Sequence, residues 1–220
     1  FVGMLMHGEH LEAAYGVGPH TISVPRIRPA DDVDPEDFTN AIDDEIFAKI
    51  IAVLRIAVPY TGMIVSTRES QATRERVLEL GVTQISGGSR TSVGGYDHPE
   101  TEEDNSAQFD VSDTRTLDQI VGWLLDLGYI PSFCTACYRE GRTGDRFMQL
   151  VKSGQIANVC QANSVMTLEE YLLDYASDEV KKAGEQVIQQ ELARIPNPKV
   201  KEIATANLEE IRQGKRDFRF

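Results

Sequence analysis

Apolar positions along the chain recur with two different periods, and the order of those periods predicts the architecture. Val2, Leu5, Met6 and Leu11 recur at helical spacing, with the glycines at 16 and 18 as a stop, so the chain opens on a helix with one buried face. Three short runs of strand length follow: HTISVP (20–25), ended by Pro25, then TGMIVS (61–66) and VTQISGG (82–88). Between them, Ile42, Ile46, Ile50, Val53 and Leu54 mark a helix within 40–58, and 70–81 reads as another, closed by Gly81. Each such helix is long enough to return the chain for a parallel neighbour, and crossovers of this kind are right-handed. Three parallel strands cannot close a barrel, so the pattern reads as the last part of a larger α/β domain.

Beyond the third strand the pattern changes. Residues 91–113 are polar, acidic and turn-rich, which predicts a long surface loop that is mostly solvated. A helix over 116–128 follows, with Ile120, Trp123, Leu124 and Leu127 on one face. The boundary falls near Tyr129 to Phe133, dividing the chain into 1–130 and a mostly helical 131–220. In the second part a cysteine-bearing stretch, 134–160, precedes helices at 167–176, 178–195 and 198–213, broken by Pro196 and Pro198.

Charge narrows the function classes. With 22 basic and 35 acidic residues in 220, the formal net charge is −13, which disfavours nucleic acid and anionic membranes as partners because phosphate binding needs clustered cations. No apolar run approaches the ~20 residues of a membrane span, and no basic region precedes FVGMLMHGEH as it would in a signal peptide. Three cysteines cannot all pair with one another, which points to a reducing, cytoplasmic setting. Phe1 is not an initiator Met and already reads as the inside of a helix, so a piece of a longer protein is expected.

Ligands in α/β folds meet the C-terminal ends of the strands. Here those ends are PRIRP (25–29), STRES (66–70) and SGGSR (86–90), each with a guanidinium beside small or hydroxylic neighbours: Arg26 and Arg28, Ser66 and Arg68, Ser86 and Arg90. Guanidinium forks take carboxylates bidentately, so a carboxylate-bearing substrate is expected, against the alternative that some of these arginines pair with the chain's own acids.

The cysteines give a sharper signal. Cys134 and Cys137 form a CxxC, and Cys160 follows after 22 residues, from what reads as a loop. Two thiolates at that spacing reach one metal or cluster, and three with no fourth suit an iron–sulfur cluster with one open iron. Zinc wants a fourth Cys or His, and none lies within 134–160. Unrelated buried thiols remain the alternative. Arg139, Arg142 and Arg146 stand near enough in sequence to offset a cluster's negative charge. His7 and His10 share a helix face at i, i+3, a spacing that can hold a metal but more often serves structure; His20 opens a strand and His98 falls in the acidic loop.

Taken together, MHGEHLE, GVGPHTISVPRIRP, MIVSTRES, GVTQISGGSRTSVGGY and FCTACYREGRTGDRFM with IANVC resemble the radical S-adenosylmethionine tyrosine lyases that mature [FeFe]-hydrogenase, over essentially the whole chain. The tyrosine lyase of thiazole synthesis shares the barrel segments but lacks the C-terminal cysteine motif. The resemblance implies the C-terminal part of a (β/α)8 TIM barrel of radical SAM type, followed by a mostly helical auxiliary-cluster domain. It implies cleavage of tyrosine to p-cresol and dehydroglycine, and production of CO and cyanide on iron for hydrogenase assembly. By motif matching, Cys134, Cys137 and Cys160 would ligate an auxiliary [4Fe-4S] cluster, His10 would hold a labile fifth iron, and Ser66 and Arg68 would grip the amino-acid carboxylate. S-adenosylmethionine and a second [4Fe-4S] cluster would belong to a missing N-terminal half, because the family's Cys-x3-Cys-x2-Cys motif is absent here. That half, the small molecules tyrosine, cysteine and S-adenosylmethionine, and other hydrogenase maturation proteins are the implied partners, and the chain alone is expected to be inactive. A stand-alone iron–sulfur scaffold or carrier, or a zinc-binding interaction domain, are the competing readings.

Overall fold

Three short parallel strands organise the first half of the chain. A computed structural model describes residues 1–97 and 106–220, so His98 and the middle of the acidic loop lie outside the described residues. Two units, Phe1–Thr116 and Leu117–Phe220, carry separate cores.

In the first unit, α1 (Val2–Tyr15) ends at Gly16, whose φ of 76° lies in the left-handed region that glycine adopts without strain. β1 (Thr21–Ser23), β2 (Gly62–Val65) and β3 (Gln84–Ile85) form a parallel sheet in the order β1-β2-β3, with Ile22 opposite Met63 and Ile64 opposite Gln84. The crossovers carry α2 (Asp44–Ala57) and α3 (Gln71–Glu79). Asp43 caps α2 by accepting from the Ile46 N–H at 2.8 Å, and Ser70 caps α3 by accepting from that of Thr73.

Two sequence expectations need correction here. The α1 face expected to be buried is not: no residue of α1 is buried, and Val2 and Met6 are 66% and 63% exposed. Its apolar residues wind around the helix rather than forming one stripe. On α2 the buried stripe is Phe47, Ala48, Ile51 and Leu54, while Ile46 and Val53 face outward. Capping at Asp43 fixes where that helix begins, and Phe47, as the largest apolar group near its start, sets which face turns inward.

The second unit is helical: α4 (Leu117–Asp126), α5 (Ala136–Arg139), α6 (Gly144–Lys152), α7 (Ala157–Asp174), α8 (Asp178–Arg194) and α9 (Pro198–Arg212). α7 packs on both α8 and α9, and α4 packs on α8 around Val121, Leu125, Val165, Met166, Leu168, Leu172, Ile188, Leu208 and Ile211. The sequence puts the helix of 116–128 before the boundary; in the structure its apolar face belongs to this second core. α7 and α8 approach closely at Gly184, where a Cβ would stand 2.4 Å from Leu172 Cδ1. α7 also begins earlier than its sequence signals suggest, so Cys160 sits in its first turns and not on a loop. Burial of Ala162, Val165 and Met166 extends the helix where no side-chain cap marks its start. Among the described residues no helix is long and apolar enough to cross a membrane.

A buried ion pair ties the first unit together. Arg74 on α3 is fully buried; it donates to the Ser86 carbonyl just beyond β3 and pairs with Asp113, itself 4% exposed. Arg115 adds hydrogen bonds to both Asp113 oxygens, at 2.8 and 2.6 Å. Burial pushes the Asp113 carboxyl up, but the Arg115 hydrogen bonds and the Arg74 charge outweigh it and hold the group below the usual carboxylate range. Asp113→Asn leaves a buried guanidinium without its counter-charge, so it should lower the stability of this unit by about 3 kcal/mol, read as a drop in the urea midpoint. An unchanged midpoint would show that the pair is not what holds the loop.

Candidate functional site

β2 ends at Val65 and the chain turns beyond it, the Glu69 N–H donating to the Ser66 carbonyl at 3.2 Å. Met63, Val65, Thr67 and Glu69 are buried, while Ile64, Ser66 and Arg68 stay partly exposed. The turn brings the two sequence-predicted residues, Ser66 and Arg68, together. They line an open cavity of about 470 Å³ with Ser89, Arg90, Gln108 and Phe109, a lining that among the described residues holds two guanidiniums and no carboxylate. Ser66 Oγ accepts from the Arg68 N–H at 3.4 Å, and the Arg68 guanidinium carbon lies 3.9 Å from the centroid of the Phe109 ring. Among the described residues no carboxylate pairs with Arg68. Arg90 donates to the carbonyls of Ser89 and Thr114 at 3.1 and 3.4 Å.

The other strand-end arginines do something else. Ile22, Val24, Arg26 and Arg28 alternate with more exposed neighbours, and the arginines meet the buried Glu69. Arg26 Nε donates to both Glu69 oxygens at 3.1 and 3.0 Å, and its Nη2 reaches Asp44 at 2.7 Å. Arg28 Nη2 shares Glu69 Oε2, also at 2.7 Å. The expectation that Arg26 and Arg28 offer forks to a ligand is thus corrected: the chain's own carboxylate occupies them. A larger cavity, about 550 Å³, is lined by residues 25–29 with parts of 34–42, but its two cations are these engaged arginines. Ser86 contributes its carbonyl to Arg74.

In the second unit the three cysteines are free thiols. Cys137 lies on α5, and Cys134 Sγ accepts from the Ala136 N–H at 3.4 Å. The Cys134 segment is fastened to α7 one residue earlier: the Phe133 ring stacks on Tyr171 with centroids 4.8 Å apart, and the Phe133 N–H donates to Thr167 Oγ1 at 3.3 Å. Tyr171 in turn donates to Asp118 at 3.1 Å, and burial with the Asp118 charge pushes its phenol up to about 12. Cys160 is exposed as a residue, but desolvation of its sulfur pushes the thiol up to about 11, and the nearby Cys137 and Cys134 add to the rise. The three thiols therefore share one neighbourhood. As placed, no three Cys, His, Asp or Glu side chains among the described residues close round a common point. The donor set nonetheless fits a thiolate-held group: three sulfurs on two converging segments, one already taking a peptide N–H, and a cation, Arg142, whose charge opposes the rise at Cys160. Arg139, expected beside such a group, instead pairs with Asp217.

His7 and His10 are exposed on α1, in the first unit. Sequence reasoning missed Arg74, Phe109 and Asp113. The position of STRES at the end of a strand run is a legible signal for Ser66 and Arg68, whereas nothing local marks Phe109 or Asp113, which fall inside an acidic, turn-rich stretch.

Comparison with known proteins extends the likeness drawn from the motifs. Residues 23–130 match the Biotin and Thiamin Synthesis associated domain, a match that stops short of Cys134. A solved structure of HydG, a maturase of the [FeFe]-hydrogenase, has a TM-score of 0.94 and 50% identity and covers 100% of this chain. The chain is similar to HydG along its whole length. HydG from Carboxydothermus hydrogenoformans follows at a TM-score of 0.70 and 37% identity over 94% of the chain. The chain spans about half of these HydG chains, 47% and 43%. The 2-iminoacetate synthases of Salmonella typhimurium and Escherichia coli are 32% and 31% identical over 136 residues, which is 59% of this chain and 34% of each synthase.

The raised Cys160 thiol yields a pH test. Neutral thiol dominates until pH approaches 11, so iodoacetamide alkylation of Cys160 in metal-free protein should be slow at pH 8 and rise about tenfold per pH unit above it. Peptide mapping would show this, and a plateau near pH 8.5, where free cysteine titrates, would contradict it.

Proposed function

We propose that this chain is the C-terminal part of a radical S-adenosylmethionine tyrosine lyase of the HydG type. The observation that carries the reading is a likeness that continues through the cysteine region, beyond residue 130 where the domain shared with biotin and thiamin synthesis ends. On this reading the parallel strands and crossover helices of the first unit are the last part of a (β/α)8 barrel. Ser66 and Arg68 hold the carboxylate of tyrosine, whose Cα–Cβ bond is broken to give p-cresol and dehydroglycine. S-adenosylmethionine and the first [4Fe-4S] cluster belong to the part of the enzyme outside this chain. Hydrogenase maturation proteins are the partners that receive the products.

Cys134, Cys137 and Cys160 would hold an auxiliary [4Fe-4S] cluster, with His10 at a labile additional iron. When bound, that group supplies the iron on which CO and cyanide are collected. The chain's own part is to present three thiolates, to set Arg142 against their negative charge, and to hold Cys134 through the Phe133–Tyr171 stack. His10 and the cluster rest on the motif resemblance; the shared neighbourhood of the thiols supports the cluster, and the Arg68 guanidinium, without a carboxylate among the described residues, supports the substrate site.

Two substitutions in the full-length enzyme test the two halves of the reading. Cys137→Ser should remove the auxiliary cluster's iron, sulfide and visible absorption after reconstitution, while tyrosine cleavage persists and CO formation falls. Unchanged iron and sulfide would sink the assignment, and zinc without sulfide would favour a zinc-binding domain. Arg68→Lys keeps the charge but loses the fork, so tyrosine binding should weaken by about 2–5 kcal/mol. Wild-type tyrosine affinity in that variant would refute the substrate role.

A further inference from the structure

The stretch that reads in sequence as a solvated loop becomes, over residues 106–113, a strap across the C-terminal ends of all three strands. Beyond β1, the Pro29 carbonyl accepts from the Asp110 N–H at 2.9 Å. Past β2, the Thr67 carbonyl accepts from the N–H groups of Ser112 and Asp113, both at 3.0 Å. After β3, Thr91 accepts from the Gln108 N–H at 3.2 Å and donates its hydroxyl to the Phe109 carbonyl at 2.8 Å. The buried Asp113–Arg74 pair locks the far end. A strap anchored at each strand end holds the Phe109 ring at a fixed place, and that place is against the face of the Arg68 guanidinium.

The same unit shows what such a stack accomplishes. Arg26 lies over the Phe47 ring at 4.6 Å and, held in that plane, gives its Nε edge to both oxygens of Glu69. Arg68 repeats the stack at 3.9 Å but has no carboxylate among the described residues. One stacked arginine is closed by an internal acid; the other faces a cavity whose lining, among the described residues, carries none. A guanidinium on a long flexible stem loses side-chain entropy when it binds a planar partner, and an aromatic face that already fixes its plane removes part of that cost.

We propose that Phe109 is a positioning and specificity-determining residue: it orients Arg68 so that the fork accepts the carboxylate of an amino acid and discriminates against amines that lack one. This rests on the reading that Ser66 and Arg68 grip the substrate carboxylate. Because Phe109 acts through Arg68, its loss should appear only with ligands that carry the carboxylate.

The test uses the full-length enzyme, with equilibrium dialysis of tyrosine and of tyramine, its counterpart without the carboxylate. Wild-type protein should prefer tyrosine. Phe109→Leu keeps the bulk but removes the π face, and should weaken tyrosine binding roughly tenfold while leaving tyramine unchanged. Phe109→Tyr should restore wild-type binding, and turnover at saturating tyrosine should stay near wild type in Phe109→Leu, so that the loss falls on KM. Equal weakening of tyrosine and tyramine, or failure of Phe109→Tyr to rescue, would make Phe109 an ordinary wall and overturn the inference. Wild-type tyrosine affinity in Phe109→Leu alongside a loss in Arg68→Lys would overturn the inference but leave the site reading standing. If Arg68→Lys also binds normally, or wild type fails to prefer tyrosine, the site reading falls and the inference falls with it.

Discussion

A guanidinium buried without solvent governs the first unit. Arg74 has no water to turn to, so its charge must be answered by protein, and the answer comes from two directions: the carbonyl just past β3, and Asp113 from the end of the long acidic segment. Separating any of these leaves a desolvated charge, a cost far above that of a surface ion pair. The pair therefore does more than link two residues. It fixes where the acidic segment re-enters the fold, which in turn sets the strap over the strand ends and the ring that faces Arg68.

The four arginines at the ends of β1 and β2 and on α3 show how one residue type takes opposite roles. Arg26, Arg28 and Arg74 all meet acids of the chain, Glu69, Asp44 and Asp113, and serve the fold. Arg68 is one residue away from Glu69 in sequence but stays partly exposed where Glu69 is buried, because the chain turns between Ser66 and Glu69. That single-residue offset separates a guanidinium consumed by structure from one left for a ligand.

In the second unit the comparable constraint is α7. One helix supplies the middle of the core, through Val165, Met166 and Leu168, and also carries Cys160 in its first turns and Tyr171 near its end. Phe133 stacks on Tyr171, so the segment bearing Cys134 is registered against the same helix that holds Cys160. Segment 215–220 adds a second tie, with Asp217 and Arg219 pairing with Arg139 and Glu140 around α5 and the Phe220 carbonyl accepting from Arg142. The thiols are thus placed by hydrophobic packing and aromatic stacking, with the exposed ion pairs as a minor addition.

Much of this was legible in the sequence. The strand–helix order, the parallel pairing, the strand-end position of Ser66 and Arg68 and the cysteine spacing are all local or periodic properties, and backbone geometry translates them directly into structure. The helix over 157–166, the exposure of α1, the fate of Arg26 and Arg28 and the role of Phe109 and Asp113 were not. Each depends on a partner far away along the chain: Glu69 lies 43 residues from Arg26, and Asp113 lies 39 from Arg74. Arg26, Arg28 and Arg68 carry the same fork and the same charge, and sequence alone offers them equally to a ligand. Only the tertiary structure brings an acid to two of them and an aromatic ring to the third, because the energy of an ion pair or a stack depends on distance in space and burial, neither of which a local pattern encodes.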